Sequence, residues 1–406
     1  MNNLYRHALS VALLSTLLSL SLSSISQTEL EKFTKDKRSD KLEIRQLSSL
    51  TSNQLDFPFL KEKYWSKELK NEQLNRGVSI SKFGQINTSD VLYTLKRKEH
   101  KAERYIRLRH QQLFGISVDP DLTSIALLGN TQFKGQEISI QRSNVEINRM
   151  TCVVLGKSVE LKKPNQHFSL GLGLAFGHRL SNFHSEEGSL QFDSINEFIH
   201  SDFDFESVQT TKNNLSGIGL VFDLNYKKST PSNYWEFRLE DLGFMNWGNI
   251  RTQSNKNTLS VFEGFYIEDI TSVGGNWLDT LQTEQLEETN NPSIVLTPFR
   301  ASLNLESSLQ KNNYLKLDLR YLHAKGYFPY SSIRYGMHMN KSDIEFGLAY
   351  GAYGEVRSSW RSSHLISKNL VFYANLEGIE SFFMNNLPIN TRGQLGLIFA
   401  LNRLDQ

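Results

Sequence analysis

The sequence predicts an all-β protein: a transmembrane antiparallel β-barrel of about fourteen strands, preceded by a polar N-terminal segment. Three observations lead there. The chain opens on an export leader, no later apolar run is long enough for a helical span, and apolar and polar residues alternate with period two through most of its length. Successive side chains of a strand point to opposite faces, so this alternation separates an apolar face from a polar one.

The leader, MNNLYRHALSVALLSTLLSLSLSSISQ, sets Arg6 and His7 ahead of an apolar run from Ala8 to Leu22 and closes on the small residues Ser24 and Ser26. That order is the layout of a secretory signal peptide. Residues 1–26 are expected to be removed, leaving Gln27 as the mature N-terminus. The run is short and serine-rich for a bilayer helix, and beyond it no stretch reaches about eighteen apolar residues. A closed barrel is then the spanning structure left, because it satisfies every backbone polar group inside lipid.

Composition sets further bounds. A net charge of +2 over 406 residues gives no bulk polarity that points to nucleic acid. The single cysteine, Cys152, allows no intrachain disulfide and reads as a small apolar filler in the strand MTCVVLG.

Alternation is plainest in FSLGLGLAF (168–176), where Phe168, Leu170, Leu172, Leu174 and Phe176 share one face and Ser169, Gly171, Gly173 and Ala175 the other. Ile218, Leu220, Phe222, Leu224 and Tyr226 oppose Gly219, Asp223 and Asn225, and Trp235, Phe237 and Leu239 oppose Glu236, Arg238 and Glu240. Further on, Leu315, Leu317, Leu319 and Tyr321 alternate with Lys316, Asp318 and Arg320, and Ile344, Phe346, Leu348 and Tyr350 with Asp343 and Glu345. A soluble sandwich would alternate too. Strand length favours the barrel, since several candidates run to about ten residues or more, which suits a tilted membrane crossing better than the usual five or six. Phe168, Phe176, Tyr226, Trp235, Tyr314, Tyr321, Tyr350 and Phe372 lie near strand ends, as interfacial girdles would require.

Short polar turns (162–165, 227–233, 311–313, 340–341, 367–368) interleave with long excursions near 180–215 and 246–295. Bacterial barrels keep short turns on the periplasmic side and long loops outside, which sets the orientation. Counting back from the C-terminus with both ends periplasmic places strands near 391–402, 369–378, 356–366, 342–352, 330–340, 313–323, 296–309, 233–245, 216–227, 166–179, 145–160, 104–118, 90–97 and 76–84. The strand at 356–366 is weak alone and is required by parity. Residues 27–75 are charged and lack sustained alternation, so they read as a polar segment, either a plug or a periplasmic arm, ahead of a barrel over 76–406.

With NLSGIGLVFDLNYKK (214–228), NYWEFRLEDLGFMNWG (233–248) and TPFRASLNLESSL (297–309) in view, the chain resembles a family of uncharacterised Bacteroidota outer-membrane barrels, distantly similar to fatty-acid-transporter-type (FadL-like) barrels. Asp241, Leu242 and Gly243, followed by Trp247, carry the most specific part of that resemblance, and ALLGNTQFKGQEISI (126–140) reads as an outer or lumen loop of the same family. The matching positions are glycines, aromatics and turns, so no functional residue is carried over. Phe399 is followed by ALNRLDQ, a departure from the terminal aromatic common in such barrels.

Common catalytic and metal motifs are absent: no HExxH, G-x-S-x-G, phosphate-binding loop or cysteine pair occurs. His167, His178, His184 and His200 cluster only in sequence. His364 beside Ser362 and Ser363 is the nearest approach to a hydrolase pair, and the acidic stretch 186–206 lacks calcium-loop spacing. No enzyme activity, cofactor, catalytic residue or metal ligand is therefore assigned. The charged faces are more informative: Glu306, Lys316, Asp318, Arg320, Arg334, Glu345 and Glu377 are the candidates to line the lumen. The resemblance implies a transport barrel for a small amphipathic or hydrophobic molecule in the outer membrane of a Gram-negative cell. The alternative is a non-transporting barrel that docks a protein partner, through its long loops or N-terminal segment, in a secretion or surface-anchoring assembly. Outer-membrane lipid is the expected surrounding in both.

Overall fold

The computed structural model describes residues 40–61, 66–96, 102–140, 143–161, 165–186, 188–193, 199–202, 204–210, 215–230, 232–248, 250–255, 260–262, 287–289, 292–310, 312–384 and 387–401. The leader, its cleavage point at Gln27, residues 27–39 and most of the turn at 162–165 lie outside them.

Fourteen antiparallel strands close into a barrel: β1 (Asp40–Asp56), β2 (Ser81–Lys96), β3 (Ala102–Val118), β4 (Ser143–Glu160), β5 (Gln166–Ser185), β6 (Gly217–Ser229), β7 (Asn233–Trp247), β8 (Arg300–Gln310), β9 (Asn313–Leu322), β10 (Phe328–His338), β11 (Ser342–Ala352), β12 (Arg357–Ser367), β13 (Leu370–Glu377) and β14 (Pro388–Leu401). Each pairs with its neighbours in the chain, and β1 closes the ring by pairing β2 from Lys41 to Ser52 and β14 from Asp40 to Thr51. Closure leaves no open sheet edge, the condition for strands to stand in lipid. The weak strand required by parity is β12, paired on both sides.

The count of fourteen stands, but its first two members are corrected. The segments near 76–84 and 90–97 are one continuous strand, β2, and the fourteenth strand, β1, comes from the stretch read as a polar plug or arm. Residues 85–89 broke the pattern because Gln85, Asn87 and Ser89 point outward while Ile86 and Thr88 point in, the reverse of a lipid-facing strand. On β1 the outward Gln46 and Ser48 meet Ser89 and Asn87 in hydrogen bonds of 2.5 and 2.8 Å across the strand pair. We therefore expect a chain that begins after Asp56 to fail to fold, giving no heat-modifiable band on unboiled gels, while one that begins at Asp40 still folds.

One end of the barrel carries short turns, the other every long connection. At the loop end, helices α1 (Phe57–Lys61) and α2 (Lys67–Leu74) follow β1, and α3 (Pro120–Leu128) follows β3, started by Asp119, whose carboxylate accepts from the Asp121 amide at 2.9 Å. The stretch 126–140 thus ends α3 and leads into the strand Glu137–Ile140, which pairs Gly188–Phe192 in a small separate sheet completed by Ile199–Asp202 and Ser260–Phe262. Ile125, Ile138, Phe183, Leu190, Phe192 and Phe205 pack as an apolar cluster between that sheet and the barrel rim.

Strand lengths are uneven. β1 to β5 run 16 to 20 residues, β8 to β12 only 10 or 11. Leu172 and Leu220 are about 70 % exposed on the outer surface, whereas Glu236, Asp318, Arg334 and Glu377 are buried inside. Inward glycines make room for aromatic rings: a Cβ on Gly156 would fall 2.1 Å from Tyr105, and one on Gly336 2.3 Å from Tyr314. Tyr314 is therefore not a girdle residue. It is buried, stacks on His338 and donates to Glu345 at 3.1 Å.

Candidate functional site in the barrel lumen

The lumen is organised around a backbone irregularity. Phe222 pairs Leu242 and Leu224 pairs Leu239, so Glu240 and Asp241 together face Asp223 in a β-bulge. Asp241 takes φ +60°, a left-handed conformation that aspartate tolerates better than most residues. Its amide donates to the Asp223 carboxylate at 2.9 Å, and the Thr297 hydroxyl donates to its carbonyl at 2.5 Å. Gly243 is required two residues on, since a Cβ there would lie 1.8 Å from the Leu220 carbonyl oxygen. The Asp-Leu-Gly motif is thus a local structural device.

Two arginines of β3 hold this bulge. Arg107 donates to Asp241 at 2.5 Å and to Asp223 at 2.9 Å, and Arg109 donates to Asp241 at 2.7 Å, Asp90 at 2.9 Å and Glu240 at 3.0 Å. Arg45 pairs with Asp90 from β1. Removed from bulk water, such charges are tolerable only when each finds opposite charge and hydrogen bonds.

The lumen candidates from the sequence form a second network. Lys316 stands 3.6 Å from Glu306 and 3.2 Å from Glu345, Arg334 donates to Glu345 at 2.7 Å and reaches Asp318 at 3.5 Å, and Asp318 also pairs with Arg320. Glu377 stands apart from that chain of contacts, accepting from Arg357 at 3.1 Å and from the Tyr330 hydroxyl at 2.8 Å. The two groups meet at Tyr330, whose ring centre lies 5.1 Å from Arg320, 5.3 Å from Arg357 and 5.1 Å from Arg392.

Among the described residues, two chambers lie along the axis. One, of about 780 Å³, is at the turn end and includes Tyr105, Arg107, His167 and Lys227 in its walls. The other, of about 460 Å³, lies farther in and includes Arg300, Lys316, Arg361 and Arg392. Glu43, Arg45, Tyr234, Arg238 and Glu240 line both and so stand where the two adjoin. Towards the loop end, the connection 323–327 folds inward. Its Lys325 amide donates to Glu146 at 2.6 Å, its carbonyl accepts from Tyr353 at 3.2 Å, and Tyr327 meets Tyr353 edge-on at 5.6 Å. Tyr353 can lie there because its neighbours are Gly84 and Gly115, where a Cβ would come within 1.9 and 2.4 Å of it.

The other sequence candidates are dispersed. His178 and His110 face outward and share the Thr151 hydroxyl, each at 2.9 Å, while His184 bonds Asn144 at 2.8 Å. His364 does not pair with Ser362 or Ser363. Cross-strand register brings it to Ser342, 2.5 Å away. Among the described residues no three histidine, cysteine, aspartate or glutamate side chains gather as a metal site would need. Cys152 is buried beside Met150 and Val154 in an apolar cluster that includes Trp247. Sequence reasoning missed Arg45, Asp90, Arg107, Arg109 and Arg300. The alternation of Arg107 and Arg109 with Ile106 and Leu108 was the available signal for two of them.

The chain is similar to solved channel and transporter barrels. The Pseudomonas putida toluene transporter TodX is 8% identical with a TM-score of 0.45, covering 93% of this chain and 92% of that one. A TodX monoaromatic hydrocarbon channel mutant gives 9% and 0.47 over 91% and 94%, and a Pseudomonas aeruginosa FadL homologue 11% and 0.42 over 90% and 89%. No family model and no curated protein matches the chain.

Proposed function

We propose that this protein is an exported outer-membrane barrel that passes a small amphipathic molecule through its lumen. The two adjoining chambers carry the reading, because a barrel built only as a scaffold has no need of consecutive cavities along its axis. Leu47, Ile86, Leu322, Val371 and Ile398 share the inner chamber with its arginines, which suits a molecule having both an apolar and a polar part. The inward connection 323–327, held under Tyr353, is the closure such a molecule must pass. Tyr353→Ala removes that support, and planar-bilayer recordings should show a larger and more frequently open conductance than the parent. Unchanged conductance with the barrel folded would count against passage along this route. No catalytic step is part of the proposal.

Export rests on the leader. Mass spectrometry of outer-membrane fractions should find the mature chain starting at or near Gln27, and intact Met1 would overturn that. The docking alternative draws on one observation, the exposed Phe382 and Phe383 at the loop end, the latter 81 % exposed. Replacing both by serine would release a co-purifying partner if docking is the function, and would leave transport intact if it is not.

A further inference from the structure

Most cations along the inner chamber have a carboxylate of their own. Arg45 and Arg109 share Asp90, Arg238 pairs with Glu236, Lys316 with Glu345 and Arg320 with Asp318. Arg300, Arg361 and Arg392 make no such pair: among the described residues none of the three has a carboxylate within 4.0 Å, and Arg392 and Arg361 act only at longer range on Glu377 and Glu345, which other cations already hold. Arg300 reaches across the lumen from β8 and donates to two neutral groups, Thr88 at 2.7 Å and Gln111 at 2.5 Å. Arg392 lies over the Tyr330 ring, and its buried Nε has no partner. Register sets Arg361 opposite Asn375 and Arg392 opposite Glu377, so the two flank β13 only two residues apart along it. All three line the same cavity of about 460 Å³.

Guanidinium groups away from bulk water draw in anions, and a planar fork of donors matches carboxylate geometry. Three such groups exceed what a single negative charge would satisfy. We propose that the inner chamber is a binding site for a small amphipathic solute carrying two anionic groups, of the dicarboxylate class, with Arg392 and Arg361 engaging one end and Arg300 the other. This deepens the transport reading by naming the charge of what is carried, and rests on it only for the claim that the bound molecule moves on. The apolar lining at Leu47, Ile86 and Val371 sets the size of the body between the charges.

The test uses the full-length mature barrel in detergent and three probes of matched shape: isophthalate with two charges, benzoate with one and isophthalamide with none. Equilibrium dialysis should show saturable binding of isophthalate, about tenfold weaker binding of benzoate, and none of isophthalamide. Arg300→Gln and Arg392→Gln should each weaken isophthalate about tenfold while heat-modifiable gel mobility is retained. Equal binding of isophthalate and isophthalamide, or affinity untouched by both substitutions, would overturn the site. If a variant does not fold, the three-probe series on the parent decides alone. Isophthalate that binds but does not enter proteoliposomes leaves the site standing and removes the transport reading. Isophthalate that enters without saturable binding removes the site and leaves the transport reading.

Discussion

Asp241→Asn should lower the stability of the folded barrel by about 3–5 kcal/mol, the usual loss when one member of a buried ion pair is neutralised. Asparagine keeps the shape of the side chain and tolerates the left-handed backbone at φ +60°, so the substitution removes little besides the charge. What it leaves is Arg107 and Arg109, both almost wholly buried, without the carboxylate that each donates to at 2.5 and 2.7 Å. The amide nitrogen would turn a donor towards one of these guanidiniums. Urea titration in micelles, followed by tryptophan emission, measures the loss. Glu306→Gln is the control: Glu306 is partly exposed and 3.6 Å from Lys316, and should change stability by less than about 1 kcal/mol. Similar small effects at both positions would mean that the bulge does not depend on its arginines.

The second large effect is expected on the outer surface. Leu319 faces outward from the middle of β9, with Leu317 and Tyr321 on the same face, and an arginine near mid-bilayer there costs roughly 2–4 kcal/mol. Leu319→Arg should reduce the folded fraction on insertion into vesicles. Arginine would also harm a soluble core, so the lipid contact needs its own readout. Fluorophores on cysteines placed at 315, 317, 319 and 321 should be quenched by a lipid-borne quencher, and those at 316, 318 and 320 should not. Equal quenching of both sets would refute the placement of this strand. From the alternation alone, Asp318→Asn is expected to leave folding largely intact. The structure revises that, because Asp318 is fully buried between Arg320 and Arg334, and its neutralisation should destabilise the barrel.

These cases mark what the sequence made legible. β5 up to Phe176, most of β6, β7 up to Leu239 and β9 to β11 could be read because apolar residues face outward there while most inward positions are glycine, polar or charged; beyond those points β5 and β7 turn Phe183, Met245 and Trp247 inward. β1 and the middle of β2 could not, because Gln46, Ser48, Asn87 and Ser89 face outward and hydrogen-bond to one another across strands, a pairing that no single segment reveals. The lumen candidates had the same limit. Alternation identified Lys316, Asp318 and Arg334 as one face, but Arg107 meets Asp241 only after 134 residues of intervening chain return to it. Which arginines make no ion pair follows from barrel closure and cannot be counted along a sequence.

The uneven strand lengths give the barrel a front and a back. About nine to eleven tilted residues cross the hydrocarbon, so β9 to β12 end where the lipid ends. β3 to β5 continue for six to nine residues more, a parapet rising roughly 15–20 Å above the bilayer surface. Thr151 with His110 and His178, at the outer foot of that parapet, then belongs to the watery headgroup layer and not to the acyl chains. On the transport reading proposed above, a solute drifting along the membrane surface would meet the mouth at lipid height from one side and a wall from the other, so neighbouring proteins in a crowded membrane would obstruct entry or leave it open according to the side on which they sit.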